Sequence, residues 1–265
     1  MQLRLSSLTA AQGGLLQAEV HSDSPRGKLE AKWGDHTIFF WKDAATQNTD
    51  HALLGIDLEL PPGRYELSLS GQLQTGQPIS CSEFVDVLPG KFAVEKLTVD
   101  NKFVEVSPED LARVDKEHQR LQELYAQMTP DRLWQGRFRI PLDGARTGSN
   151  FGRRRVLNGQ PRSPHTGVDF PAAAGTPVRA TQAGRVVLAE PLFFSGNTVI
   201  LDHGLGIFTL YGHLEKILVA TGDVVNAGAE IGKVGATGRV TGPHLHWGLT
   251  IDGARVNPLQ IVGLR

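Results

Sequence analysis

The chain has 265 residues, an ordinary apolar content of 40% and a formal net charge of −1. That length suits two modest domains or one large one, and the charge gives no electrostatic case for a nucleic-acid partner. No run approaches the ~18 apolar residues of a transmembrane helix, and a single cysteine, Cys81, excludes an internal disulfide and any CxxC metal spacing.

The opening residues Met1-Gln2-Leu3-Arg4-Leu5-Ser6 lack the basic start, apolar core and small-residue cleavage site of a secretory signal. The expectation is a cytosolic protein, or an exported one whose signal is absent from this chain. From Met1 to about Thr98, short alternating runs are separated by turn residues: Leu15 to Val20, Thr37 to Trp41, Leu53 to Leu60, Arg64 to Leu69 and Ile79 to Val87. Pro61-Pro62-Gly63 marks a tight reversal. Closely spaced short strands predict an antiparallel sandwich over 1–98. Cys81 is expected as a small core or edge residue, and His21, His36 and His51 as surface or strand-edge residues.

A helical connector is expected over 99–136. Ser107-Pro108-Glu109-Asp110 reads as a helix start, with Ser at the N-cap, Pro at the first position and acidic groups facing the positive end of the dipole. Leu111, Val114, His118, Leu121, Leu124 and Tyr125 recur at three and four residues and give one apolar stripe. His118 is expected to pack there. Thr129-Pro130 stops the helix, and a short turn is expected to carry Leu133 and Trp134.

From about Arg137 to the end, Gly and β-branched residues dominate. Val178–Ala180, Gly184–Ala189, Thr198–Asp202, Ile207–His213, Ile217–Val219, Glu230–Val234 and His244–Ile251 read as strands. The run Arg153-Arg154-Arg155 is expected in a solvated loop. The third unit, 137–265, should be nearly all β.

This unit holds five of the nine histidines: His165, His203, His213, His244 and His246. In Pro164-His165-Thr166-Gly167-Val168-Asp169-Phe170-Pro171, Gly167 and the flanking prolines disfavour a helix. In an extended segment the even spacing returns His165 and Asp169 to one face. The segment alone also fits a turn with a surface His and a capping Asp. In Gly242-Pro243-His244-Leu245-His246-Trp247, the two His share one side of a strand and Leu245 takes the other. His213 follows Tyr211-Gly212 at a strand end. Two His and one carboxylate fit the rule for a zinc hydrolase, which uses three protein ligands and an open fourth position. Two further imidazoles can then serve the attacking water and the oxyanion.

His165-x-x-x-Asp169, Tyr211-Gly212-His213 and His244-x-His246, in that order, resemble the LytM/lysostaphin-type metallopeptidases, family M23. Ser149-Asn150-Phe151-Gly152-Arg153-Arg154, Gly175-Thr176-Pro177-Val178 and Gly235-Ala236-Thr237-Gly238 add to the resemblance, which covers about Arg137 to Leu264. It implies a barrel-like β-sheet with a groove, one zinc ion held by His165, Asp169 and His246, and His213 and His244 as the catalytic, non-ligand histidines. It implies cleavage of peptide cross-links or stem peptides of bacterial peptidoglycan, in the cell envelope, the periplasm or outside the cell. It also implies that the preceding sandwich is immunoglobulin-like. His203, in Leu201-Asp202-His203-Gly204, is expected as a structural turn residue. Two other readings are a non-catalytic activator or wall-binding module on the same fold, and a carrier domain. Val219 to Gly228 followed by Glu230-Ile231-Gly232 resembles biotinyl and lipoyl turns, but neither Lys216 nor Lys233 lies in a modification motif.

Overall fold

Period-two alternation buries one face of each strand, and in the computed structural model the first such runs close a two-sheet sandwich. Residues 1–23, 26–42, 48–97, 107–127, 129–145 and 150–264 are described; Ser149 and the 98/99 boundary lie outside them. The early strands are β1 (Gln2–Leu5), β2 (Thr9–Ala11), β3 (Leu15–His21), β4 (Arg26–Trp33), β5 (His36–Ile38), β6 (Trp41–Lys42), β7 (Thr49–Gly55), β8 (Gly63–Leu73) and β9 (Pro78–Leu88). One sheet runs β1-β3-β7-β6 and the other β2-β9-β8-β4-β5. That pairing matches the ABED and GFC order of immunoglobulin-type sandwiches. Ala18, Val20, Trp33, Leu54, Leu67, Leu69, Val85 and Val87 fill the space between, with Cys81 half-buried against them.

Two expected runs differ. Thr37 to Trp41 is not one strand, because the chain crosses from β5 in one sheet to β6 in the other. Alternation alone does not reveal a change of sheet. Leu53 to Leu60 ceases to be strand at Gly55; the Asp57 side chain accepts the Glu59 N–H at 2.8 Å, an Asx-type turn that ends the run.

Beyond the sandwich, β10 (Val94–Leu97) pairs in parallel with β11 (Arg154–Leu157), which pairs with β12 (Gln160–Pro161). The arginine run is therefore largely strand rather than solvated loop. Helix α1 (Pro108–Ala126) begins as its capping residues dictate, with Ser107 Oγ accepting the Asp110 N–H at 3.1 Å. Leu121, Leu124 and Tyr125 pack on Leu188, Leu192, Ile200 and Phe208. Burial pushes the Tyr125 hydroxyl up to about 12. His118 is exposed, not packed; one turn before Leu121 the half-buried position facing the sheet belongs to Glu117. No turn forms around Leu133 and Trp134; extended chain carries Trp134 into the core against Trp41 and Phe138.

The remaining strands are β13 (Gly167–Pro171), β14 (Pro177–Arg179), β15 (Gly184–Leu192), β16 (Gly196–Asp202), β17 (Ile207–Ile217), β18 (Val224–Val225), β19 (Glu230–Val234), β20 (His244–Ile251) and β21 (Ala254–Val256). They form one open sheet, β13-β20-β17-β16-β15-β18, with β14-β19 and β21 as branches. The expected barrel-like sheet does not close, because its ends β13 and β18 do not pair with each other. The sheet forks along β17: residues 207–212 pair with β20 and residues 214–217 with β19. His213 sits at the fork.

The sandwich meets this sheet through a shared core that includes Leu53 and Leu58, and through an ion pair. Asp57 Oδ1 accepts from Arg255 Nη2 at 2.7 Å, and Asp57 Oδ2 accepts from Arg255 Nε at 2.9 Å and from its backbone N–H at 2.8 Å. Burial pushes the Asp57 carboxyl up, but the bonds from Arg255 and Glu59 outweigh it and hold it below its ordinary 3.8. A depressed carboxylate stabilises the fold above its unfolded pKa and loses that stabilisation as pH falls through the folded value. Arg255→Ala should lower the unfolding free energy by about 1.5–3 kcal/mol at pH 7, and by less in acid. Urea denaturation at pH 7 and pH 3 checks both, and an unchanged midpoint at pH 7 would contradict it.

Candidate metal centre

Strand parity places the candidate ligands. Val168 and Phe170 are fully buried, so Asp169 leaves β13 on the opposite face; Leu245 and Trp247 are likewise buried, so His244 and His246 leave β20 on one side. Asp169 stands directly opposite His246, and Gly212 of β17 flanks His246 from the other edge. A Cβ on Gly167 would lie 2.7 Å from His246 Nε2 and 2.5 Å from the Trp247 carbonyl oxygen. Only glycine leaves room for the imidazole to lie across β13. His165 precedes β13, with its carbonyl accepting from Gly152 N at 2.8 Å and its N–H donated to Arg153 O at 3.0 Å.

Three side-chain atoms converge. His165 Nε2 lies 3.0 Å from Asp169 Oδ1 and 3.0 Å from His246 Nδ1, and His246 Nδ1 lies 2.9 Å from Asp169 Oδ1. His165 Nδ1 faces the Asn150 carbonyl oxygen at 3.1 Å. A carbonyl only accepts, so Nδ1 carries the proton and a neutral ring turns a bare lone pair at Nε2 toward the carboxylate. An acceptor facing an acceptor at hydrogen-bond distance calls for a cation. Ligands ~2.1 Å from a tetrahedral zinc stand ~3.4 Å apart, close to these separations, and a donor set of two imidazoles and one carboxylate suits that ion. The residues fit a divalent metal. Among the described residues no second group of three or more His, Cys, Asp or Glu converges in this way.

Asn150 braces the group on three sides. Its Nδ2 donates to Asp169 Oδ2 at 2.9 Å, its Oδ1 accepts the Asp169 N–H at 3.1 Å, and its backbone carbonyl fixes the His165 tautomer. Sequence reasoning took Asn150 only as part of a supporting stretch. Asn150 lies fifteen residues before His165, and no local signal marks it; the fold alone brings it to the cluster. Asp169 keeps one oxygen, Oδ2, on the Asn150 carboxamide and turns the other, Oδ1, to the two imidazoles.

The structure brings His213 and His244 to the same place. Their rings are 4.7 Å apart, and His213 is 5.9 Å from the His246 ring. His213 Nδ1–H donates to Thr237 O at 3.0 Å, and His244 Nδ1–H to Gly242 O at 2.9 Å. With Nδ1 as donor, Nε2 is the nitrogen that each ring in its neutral form leaves unprotonated, that of His244 lying 3.7 Å from Asp169 Oδ1. Burial, reinforced by the charge of His246, pushes His213 down to about 4, so it is neutral at pH 7. His203 is committed elsewhere: fully buried, it donates from Nδ1 to Ala183 O at 2.7 Å and packs edge-on to Phe138. Lys216 and Lys233 are cross-strand partners in β17 and β19, not residues of an exposed hairpin tip.

Removing a group that orients metal ligands costs ~10–100-fold in metal affinity. Asn150→Ala should weaken zinc binding by about that factor without unfolding the chain. Competition with a fluorescent chelator measures it, and wild-type affinity would show that Asn150 does not brace the ligands.

With this geometry, comparison with known proteins is specific. The model of peptidase family M23 matches residues 163–258. Peptidoglycan DD-endopeptidase ShyA of Vibrio cholerae is 34% identical over 201 residues, which are 74% of this chain and 42% of that protein. DD-carboxypeptidase/endopeptidase Mpg of Neisseria meningitidis serogroup B is 42% identical over 127 residues, 48% of this chain and 29% of that one. The chain thus spans less than half the length of these curated relatives. A crystal structure of a Pseudomonas aeruginosa protein assigned to peptidase M23 is 31% identical, with a TM-score of 0.74 and 96% of each chain covered. Because that likeness runs through sandwich, helix and forked sheet together, the chain belongs to peptidase family M23.

Proposed function

We propose that the protein is a zinc-dependent endopeptidase that hydrolyses peptide cross-links or stem peptides of bacterial peptidoglycan. The observation that carries this reading is the convergence of the His165, Asp169 and His246 lone pairs beside two imidazoles that each present an unprotonated Nε2. A zinc ion held there would supply a polarised carbonyl and a water acidified to a pKa of ~7. His213 and His244 have fixed tautomers, so each can take a proton at Nε2 and, once protonated, donate it to a developing oxyanion or a leaving amine. Asp169, with Oδ2 held by the Asn150 amide and Oδ1 turned to the ligand cluster, leaves proton transfer to the histidines.

The names of the relatives support peptidoglycan peptides as substrate, which sets the reaction outside the cytoplasm, in the cell envelope, the periplasm or the medium. No helix among the described residues is long and apolar enough to cross a membrane. A division at 1–98, 99–136 and 137–265 assigns the chemistry to the third unit and positioning or binding to the immunoglobulin-like sandwich.

Digestion of purified peptidoglycan, read by mass spectrometry of the released muropeptides, tests the activity; no new amine and carboxyl ends from a zinc-loaded chain would sink it. His246→Ala should lose stoichiometric zinc. His213→Ala should keep zinc while turnover falls ~10²–10⁴-fold, the usual worth of a general acid or base. Full zinc in the first variant, or wild-type turnover in the second, would contradict the assigned roles.

A further inference from the structure

Helix α1 grips the part of the sheet that holds His213. The turn between β15 and β16, residues 193–195, is contacted on two sides. On the helix side, Glu117 Oε2 accepts the Phe193 N–H at 2.7 Å, while Glu117 Oε1 accepts from Arg113 Nε at 2.7 Å. The Glu117 side chain is 18% exposed, so this carboxylate is largely withdrawn from water at the point where it holds the turn.

On the other side, the same turn meets the candidate centre. Ser195 O accepts the His213 N–H at 2.6 Å, and Phe194 O accepts the Arg239 N–H at 3.0 Å. Asn197 N donates to Thr237 Oγ1 at 2.9 Å, and the carbonyl of that same Thr237 receives His213 Nδ1–H. Gly196 is pressed so closely on Thr237 that a Cβ there would lie 2.3 Å from it. His213 itself has φ +63°, a left-handed conformation that a non-glycine residue keeps only where neighbours impose it. Those neighbours are Ser195, in the turn that Glu117 holds, and Thr237, which packs on the first residues after that turn and also donates from Oγ1 to Leu214 O at 2.7 Å.

We infer that Glu117 is a positioning residue for His213, so that the connector helix forms part of the catalytic apparatus instead of only joining two units. This rests on the peptidase reading above. Arg120 provides the control: on the same helix it forms a bidentate pair with Glu190 within β15, away from the turn.

The test compares full-length, zinc-loaded wild type with Glu117→Ala, Glu117→Gln and Arg120→Ala. The readouts are kcat, KM, zinc per chain, and the NMR signals of the His213 amide and ring nitrogens. Glu117→Ala should shift the His213 signals and lower kcat about tenfold or more, since small misplacements of a catalytic group cost up to ~10². KM and zinc content should stay unchanged. Glu117→Gln keeps an acceptor for the Phe193 N–H and should recover most of the lost kcat. Arg120→Ala should leave kcat and the His213 signals as in wild type. Unshifted His213 signals and wild-type kcat in Glu117→Ala would overturn the inference, as would an equal effect of Arg120→Ala. If the wild type cleaves no peptide, the functional reading fails, while the His213 signals still decide whether Glu117 positions that ring.

Discussion

The site depends on one row of residues across three strands. Asp169, His246 and Gly212 stand side by side on β13, β20 and β17, and strand parity turns Asp169 and His246 to the same face. A slip of one residue in the β13–β20 register would bring Leu245 or Trp247 opposite Asp169 and send the imidazole into the core. The register is fixed from the other face, where Val168, Phe170, Leu245 and Trp247 are completely buried. Burying large apolar side chains stabilises by ~1.5–3 kcal/mol each, so the hydrophobic pattern that drives folding also selects the alignment that gathers the candidate metal ligands.

The rest of the chain braces this row. Phe92, beyond the sandwich, lies edge-on to Phe151 with ring centroids 6.2 Å apart, and fills the space a side chain on Gly152 would need. Gly152 bonds the backbone of His165, and its neighbour but one, Asn150, bonds Asp169. On the opposite flank, α1 reaches the turn that carries Ser195. Preorganised sites need supporting contacts as well as ligands; here those contacts come from residues before 137 as well as after it.

Much of this was legible in the sequence because it follows from short-range rules. Parity read the His244-x-His246 pair correctly, and Ser107-Pro108 located the helix start to the residue. What escaped notice involves partners far apart in the chain. The fork at His213 leaves no local trace: the sequence pattern ends a strand at His213, whereas β17 runs on to Ile217 and is divided only by the arrival of β20 on one stretch and β19 on the next. The crossing between β5 and β6, the open rather than closed sheet, and the inward turn of Glu117 instead of His118 are likewise decided by tertiary contacts, which override local pattern. Asn150 escaped because an isolated Asn has many local uses, and only the fold brings it within reach of Asp169.

The most direct test of the central claim is anomalous diffraction at the zinc edge from crystals of the full chain. The account predicts one peak per chain, bounded by His165 Nε2, Asp169 Oδ1 and His246 Nδ1 at ordinary zinc–ligand distances of ~2.0–2.2 Å. A peak elsewhere, in crystals with one bound zinc per chain, would contradict it.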